Sequence, residues 1–143
     1  MIYSLFQQTP FECVNDLKDL IEDKVVYDIG AGDGEFGKVM ANLFAKKVVL
    51  IENDPTIKLK PADMPNVEYI LDDFMKVDLS KAEVIYIFMS FIGNYNLTRK
   101  LKAAHWHGTV ISALYPMYEN IADSWLPDKI IHSKDLPFLI YNL

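Results

Sequence analysis

Apolar residues gather in short runs at fairly even spacing along the chain. Val25-Val26-Tyr27-Asp28-Ile29, Val48-Val49-Leu50-Ile51, Val67-Glu68-Tyr69-Ile70-Leu71, Val84 to Met89 and Thr109 to Leu114 each read as a strand. The first, second, fourth and fifth are almost continuously apolar, the pattern of strands buried on both faces of a parallel sheet covered by helices. Two last runs, Lys129 to His132 and Phe138 to Tyr141, are separated only by Ser133 to Pro137 and suit an antiparallel hairpin at the sheet edge. Helical spacing lies between some of the strands. Thr9-Pro10-Phe11-Glu12 has the form of a capping box with Thr9 as the cap, and Phe11, Val14, Leu17 and Ile21 follow along one face. A second helix is expected over Glu35 to Phe44, with Phe36, Val39, Met40 and Leu43 inward. A third is expected over Asn96 to Ala104, with Leu97, Leu101 and Ala104 on one side. The stretch from Asn53 to Asn66 contains Pro55, Pro61 and Pro65, which leave little room for a helix. Alternating strands and helices that end in an antiparallel pair make an α/β, doubly wound, mostly parallel sheet.

Composition narrows the class. At 143 residues, with 51% hydrophobic and 24% charged positions, the chain is expected to form one domain over residues 1–143 with a real core. Twenty acids against fourteen bases give a net charge of −6, which argues against nucleic acid as a non-specific partner and is compatible with basic proteins. The one cysteine, Cys13, rules out an intrachain disulfide and suits a reducing compartment. Met1 to Pro10 lacks the basic and apolar regions of a signal peptide. The longest apolar run, Val84 to Ile92, is about half a membrane span. A cytoplasmic protein without membrane contact is expected.

The most informative segment is Asp28-Ile29-Gly30-Ala31-Gly32-Asp33-Gly34-Glu35, which reads as strand, glycine loop and helix start. Three glycines at alternate positions exceed what a tight turn requires, and they let backbone approach a ligand closely. Gly32 to Gly37 formally matches a dinucleotide fingerprint, with Glu52 20 residues past Gly32 where a ribose-binding acid would sit. A pyrophosphate on the helix N-terminus would, however, be repelled by Asp28, Asp33 and Glu35. The same acids suit a cation, and Asp28 is placed for an ammonium group. A nicotinamide-binding protein is therefore the weaker reading.

This segment resembles motif I of the class I, Rossmann-like S-adenosylmethionine-dependent methyltransferases. The resemblance implies S-adenosyl-L-methionine as cofactor, with Asp28, Gly30, Ala31, Gly32 and Gly34 around it. It also implies Glu52, followed by Asn53, at the ribose hydroxyls, and Asp72 or Asp73 at the adenine amino group with Phe74 beside the ring. Thr9-Pro10-Phe11-Glu12, Val77 to Val84 and Trp125-Leu126-Pro127-Asp128-Lys129 look like the compact protein-lysine methyltransferases of archaea and their mitochondrial relatives. That likeness implies sheet order 3-2-1-4-5-7-6, a cofactor pocket closed in part by the segment carrying Thr9, and a protein lysine as acceptor. Small-molecule or RNA methylation, and a non-catalytic cofactor-binding module, are the alternatives. The segment Met89-Ser90-Phe91-Ile92 lacks the Asn/Asp-Pro-Pro-aromatic motif of enzymes that methylate nucleic-acid amino groups.

No residue stands out as a general base. Tyr3, Phe6, Met89, Ser90 and Phe91 are candidates for an acceptor channel at the carboxyl ends of the strands. His105-Trp106-His107 lacks further metal ligands nearby and reads as a loop entering the fifth strand. Arg99, Lys100 and Lys102 read as a solvated helix face.

Overall fold

The computed structural model describes residues 9–57 and 64–143. Seven strands form one sheet: β1 (Val25–Ile29), β2 (Lys47–Glu52), β3 (Val67–Leu71), β4 (Val84–Ile87), β5 (Thr109–Ala113), β6 (Lys129–Ser133) and β7 (Leu136–Asn142). Their order is β3-β2-β1-β4-β5-β7-β6, with β7 antiparallel to both neighbours and the other pairs parallel. The expected architecture and strand order are thus the observed ones. β1, β2, β4 and β5 are buried almost throughout, as continuous β-branched runs require, whereas β3 at the edge is half exposed.

The helices are α1 (Cys13–Asp16), α2 (Lys18–Ile21), α3 (Glu35–Leu43) and α4 (Phe91–Ala103). On one face of the sheet Cys13, Val14, Leu17, Ile21, Phe36 and Met40 cover Val26, Val48, Leu50 and Tyr86. On the other, Leu79, Leu97, Leu101, Trp106 and Met117 cover Ile29, Ile51, Ile85 and Val110. Cys13 is wholly buried, and its thiol donates to the Ser133 carbonyl.

Three helical expectations need correction. Thr9 caps nothing: its hydroxyl is buried against the Tyr86 hydroxyl, Glu12 precedes α1 without a side-chain cap, and Phe11 is exposed. The tertiary contact outcompetes the local one, and Leu17, at φ −97° and ψ −1°, splits the expected helix into two single turns. Leu43 and Ala104, expected inward, are exposed at helix ends. α4 begins at Phe91, five residues before the apolar spacing shows it, because Asn94 and Thr98, both polar, occupy its buried face.

Arg99 and Lys102 are exposed and Lys100 is half-buried, as expected of a solvated face, and each also has a partner. Lys100 donates to the Met75 carbonyl, Lys102 pairs with Glu119 and lies 5.0 Å from the Trp125 ring centroid, and Arg99 lies 5.7 Å from that of Tyr95. His105 and His107 are exposed on the loop entering β5, with Trp106 buried between them.

Leu50 lies at the centre of β2, wholly buried beneath Gly34 and Gly37 of the loop and α3. Leu50→Ala is expected to lower the unfolding free energy by about 2–5 kcal/mol, through lost burial and the cavity left behind. Denaturant unfolding at unchanged slope measures it, and a loss below about 1 kcal/mol would show that Leu50 does not hold this layer.

Candidate functional site

The site forms where β1, β2, β3 and β4 end, because the glycine loop turns there instead of continuing the sheet. Gly30, Gly32 and Gly34 have φ of 76°, 60° and 81°, a region that side chains avoid. Space is short as well: a Cβ at Gly30 would stand 3.1 Å from Met89 Cγ, which would have to give slightly, and one at Gly34 would stand 2.8 Å from the buried Leu50 Cδ1, which would have to shift. The loop is held from below by N–H donation from Gly30 and Ala31 to the Ile51 carbonyl, at 2.9 and 3.0 Å. Asp33 Oδ1 accepts from the Glu35 N–H and so satisfies one of the free donors opening α3.

Glu52 is buried at the end of β2, and its carboxylate grips three backbone N–H groups. Oε1 accepts from Gly32 at 2.8 Å, and Oε2 accepts from Asn53 and Asp54 at 3.0 Å each. The carboxylate therefore fixes the β1 loop to the β2 loop, a role the sequence did not suggest. Roughly four acceptor positions exist on a carboxylate, so one remains for a ligand.

Asp28 is 3% exposed, near the end of β1. Burial, then the charges of Glu52 and Asp33, push its carboxyl up from the ordinary 3.8 to about 7. A buried carboxylate without a cation is costly, and the position fits a ligand that brings one. Tyr86 pairs in register with Asp28 on the adjoining strand, with its ring stacked at 4.9 Å on Phe36. Burial holds its phenol well above the ordinary range, so the hydroxyl stays neutral and shares a hydrogen bond with Thr9. Sequence reasoning missed Tyr86; the signal was one phenol in an aliphatic strand, which needs a polar partner once buried.

At the end of β3, Asp72 is exposed and its Oδ1 accepts from the Asp73 N–H. Asp73 Oδ1 accepts from the Met75 N–H and opens a 3-10 turn, Phe74–Lys76, that leaves Phe74 half-buried. Asn53 is exposed beside Glu52. Beyond β4, Met89 leans over Gly30, Ser90 precedes α4, and the Phe91 ring meets Tyr118 at 4.5 Å, edge to face. Tyr3 and Phe6 lie outside the described residues. The structure thus brings Thr9, Asp28, Gly30, Ala31, Gly32, Gly34, Glu52, Asn53, Asp72, Asp73 and Phe74 to one end of the sheet.

The family model for ribosomal RNA adenine dimethylase matches residues 8–107, from the segment carrying Thr9 to the loop before β5. The chain belongs to that family. It is an S-adenosylmethionine-dependent methyltransferase. Among curated relatives, a protein-lysine N-methyltransferase from Saccharolobus islandicus is 28% identical over 128 residues, covering 84% of this chain and 77% of its own. A ribosomal RNA small subunit methyltransferase A from Alkaliphilus metalliredigens is 40% identical over 79 residues, covering 52% of this chain and 27% of that longer protein. Among solved structures, an RNA methyltransferase from Salinibacter ruber, crystallised in complex with S-adenosyl-L-homocysteine, has a TM-score of 0.79. It is 24% identical and covers 95% of this chain and 93% of its own, a likeness of fold. In the methyltransferase no described helix is long and apolar enough to cross a membrane.

Because its folded pKa lies above the unfolded value, Asp28 of the folded chain holds a proton that the unfolded chain has lost between about pH 4 and pH 7. Its contribution to stability is greatest in acid and falls as pH rises through that window. Asp28→Asn is expected to remove the fall. The variant's advantage over the ligand-free wild type should widen from pH 4 to pH 7 and level off at no more than about 4 kcal/mol. Parallel denaturant curves across that range measure it; identical pH profiles would show that Asp28 is not held in a charge-averse environment.

Proposed function

We propose that this methyltransferase transfers a methyl group to lysine side chains of proteins. The observation that carries the reading is the charge of the site's mouth. Asp33, Asp54, Asp72 and Asp73 all lie within four residues of the carboxyl ends of β1, β2 and β3, and Asp28 and Glu52 lie behind them. No base lies in those spans. Such a field draws in cationic partners and repels a polyphosphate chain. An RNA acceptor would meet this field with its own negative charge. The segment Met89-Ser90-Phe91 also offers no Asn/Asp-Pro-Pro-aromatic group to hold a base's amino nitrogen.

In this reading S-adenosyl-L-methionine supplies an electrophilic methyl group on a sulfonium. Asp28 binds the ammonium end, directly or through water, and its ionised form is favoured by that positive charge. Gly30, Ala31, Gly32 and Gly34 bring backbone close to the ligand without side-chain obstruction. Glu52 uses its remaining acceptor position on a ribose hydroxyl, with Asn53 alongside. Asp72, more open than Asp73, accepts from the adenine amino group, and Phe74 flanks the ring. Thr9, tied to Tyr86, sets the wall beside Asp28. The acceptor lysine must reach the site neutral; desolvation beside Met89 and Phe91 lowers its pKa. The protein's chief contribution is alignment of nucleophile and methyl group, which requires a rigid cradle more than a dedicated base.

Two measurements test this. Asp28→Ala should abolish S-adenosylmethionine binding in titration calorimetry, and unchanged affinity would remove Asp28 from the site. Tritiated methyl should enter lysine of a mixed protein pool and not total RNA; label in RNA alone would overturn the acceptor assignment.

A further inference from the structure

The connection leaving β5 contains a residue that ordinary folding economy would not choose. Leu114 has φ 69°, and the Tyr115 N–H closes on the Ala113 carbonyl at 2.8 Å, so Leu114 is the centre of a three-residue γ-turn. That turn is rare and strained for a side-chain-bearing residue. Leu114 gains no burial in return, since it is 38% exposed, and Tyr115 beside it is 41% exposed.

The surroundings hold the turn in place. The Leu114 N–H donates to the Pro137 carbonyl at 2.8 Å. Asn94, wholly buried in the first turn of α4, donates Nδ2 to the Pro116 carbonyl at 2.9 Å, and at 3.3 Å to the Tyr115 carbonyl and Ser112 Oγ. Ser112 Oγ donates to the same Tyr115 carbonyl. Asn94 Oδ1 is left without a hydrogen-bond partner among the described residues. A buried polar knot that leaves one acceptor unpaired has been shaped for geometry at some cost in stability.

The corner stands at the acceptor side. β4 and β5 run parallel and end together, with Ile87 opposite Ser112, so Leu114 leaves β5 at the same end of the sheet as Met89, which leans over Gly30. Exposed Ile92 lies just beyond on α4.

We infer that Leu114 and Tyr115 form a docking corner for the acceptor protein, gripping an apolar residue next to the target lysine. This deepens the proposed function and depends on it. The occupant is a basic protein segment. The acidic mouth beyond the neighbouring strands complements its lysines, and the exposed Leu114 and Tyr115 side chains complement an apolar flank. Specificity then comes from the corner and long-range attraction from the acids.

The test compares wild type, Leu114→Gly and Leu114→Met on unfractionated histone, with total RNA as the competing acceptor. Glycine suits φ 69°, so Leu114→Gly should keep or raise the melting temperature and leave S-adenosylmethionine affinity unchanged. Its KM for histone should nevertheless rise by about tenfold, the loss expected when one leucine-sized side chain no longer buries against a partner. Leu114→Met should retain the wild-type KM. An unchanged histone KM in Leu114→Gly, with wild type active on histone, overturns the corner and leaves the acceptor class standing. Wild-type activity on RNA and none on histone overturns both.

Discussion

The Glu52 carboxylate is the constraint on which the site depends. It joins the β1 loop to the β2 loop, through Gly32 on one side and Asn53 and Asp54 on the other. Charge-assisted bonds to backbone N–H groups are among the stronger ones available to a buried carboxylate. Together with the bonds from Gly30 and Ala31 to the Ile51 carbonyl they hold the glycine loop, and they do so with a charge that the buried Asp28 feels. Glu52 thus orders the loop and adds to the burial that makes Asp28 reluctant to ionise. A cationic ligand relieves that reluctance while the loop stays in place.

The fold was legible because its signals were long and redundant. Apolar runs of β-branched residues set β1, β2, β4 and β5, and the short spacer at Ser133 to Pro137 set the final hairpin. The cofactor end was legible because glycine at alternate positions and acids at strand ends have few other uses in that combination. The first helix was misread for a physical reason. Thr9, Pro10 and Glu12 satisfy every local rule for a helix start, yet a buried phenol 77 residues away offered Thr9 a better partner. The start of α4 was missed for the converse reason: Asn94 and Thr98 face inward because they have polar work to do, and periodicity counts only apolar residues. Tyr86, Asn94 and Ser112 share this property. Each is a polar residue whose meaning lies in a distant partner.

In the proposed reading, acceptor preference and cofactor binding reside in different parts of the chain. The glycine loop, Glu52 and the acids after β3 all precede β4. Ser112, Leu114, Tyr115 and Tyr118 follow it, on the far side of α4. Charge divides likewise: the acids cluster over the first three strands, while the end of β5 carries apolar surface. In that reading a cationic sulfur nucleoside and a lysine-bearing chain share one field without competing for the same contacts.

α4 joins these two halves. Lys100 near its end is bolted to the Met75 carbonyl, in the turn beside Phe74, and Asn94 near its start is bolted to the corner after β5. A rod pinned at both ends fixes the turn after β3 and the corner after β5 relative to one another. The stretch from Leu114 to Asp128 is in turn anchored on β7, where Met117 and Trp125 both bond the Tyr141 hydroxyl, so α4 and β7 together hold the surface that follows β5.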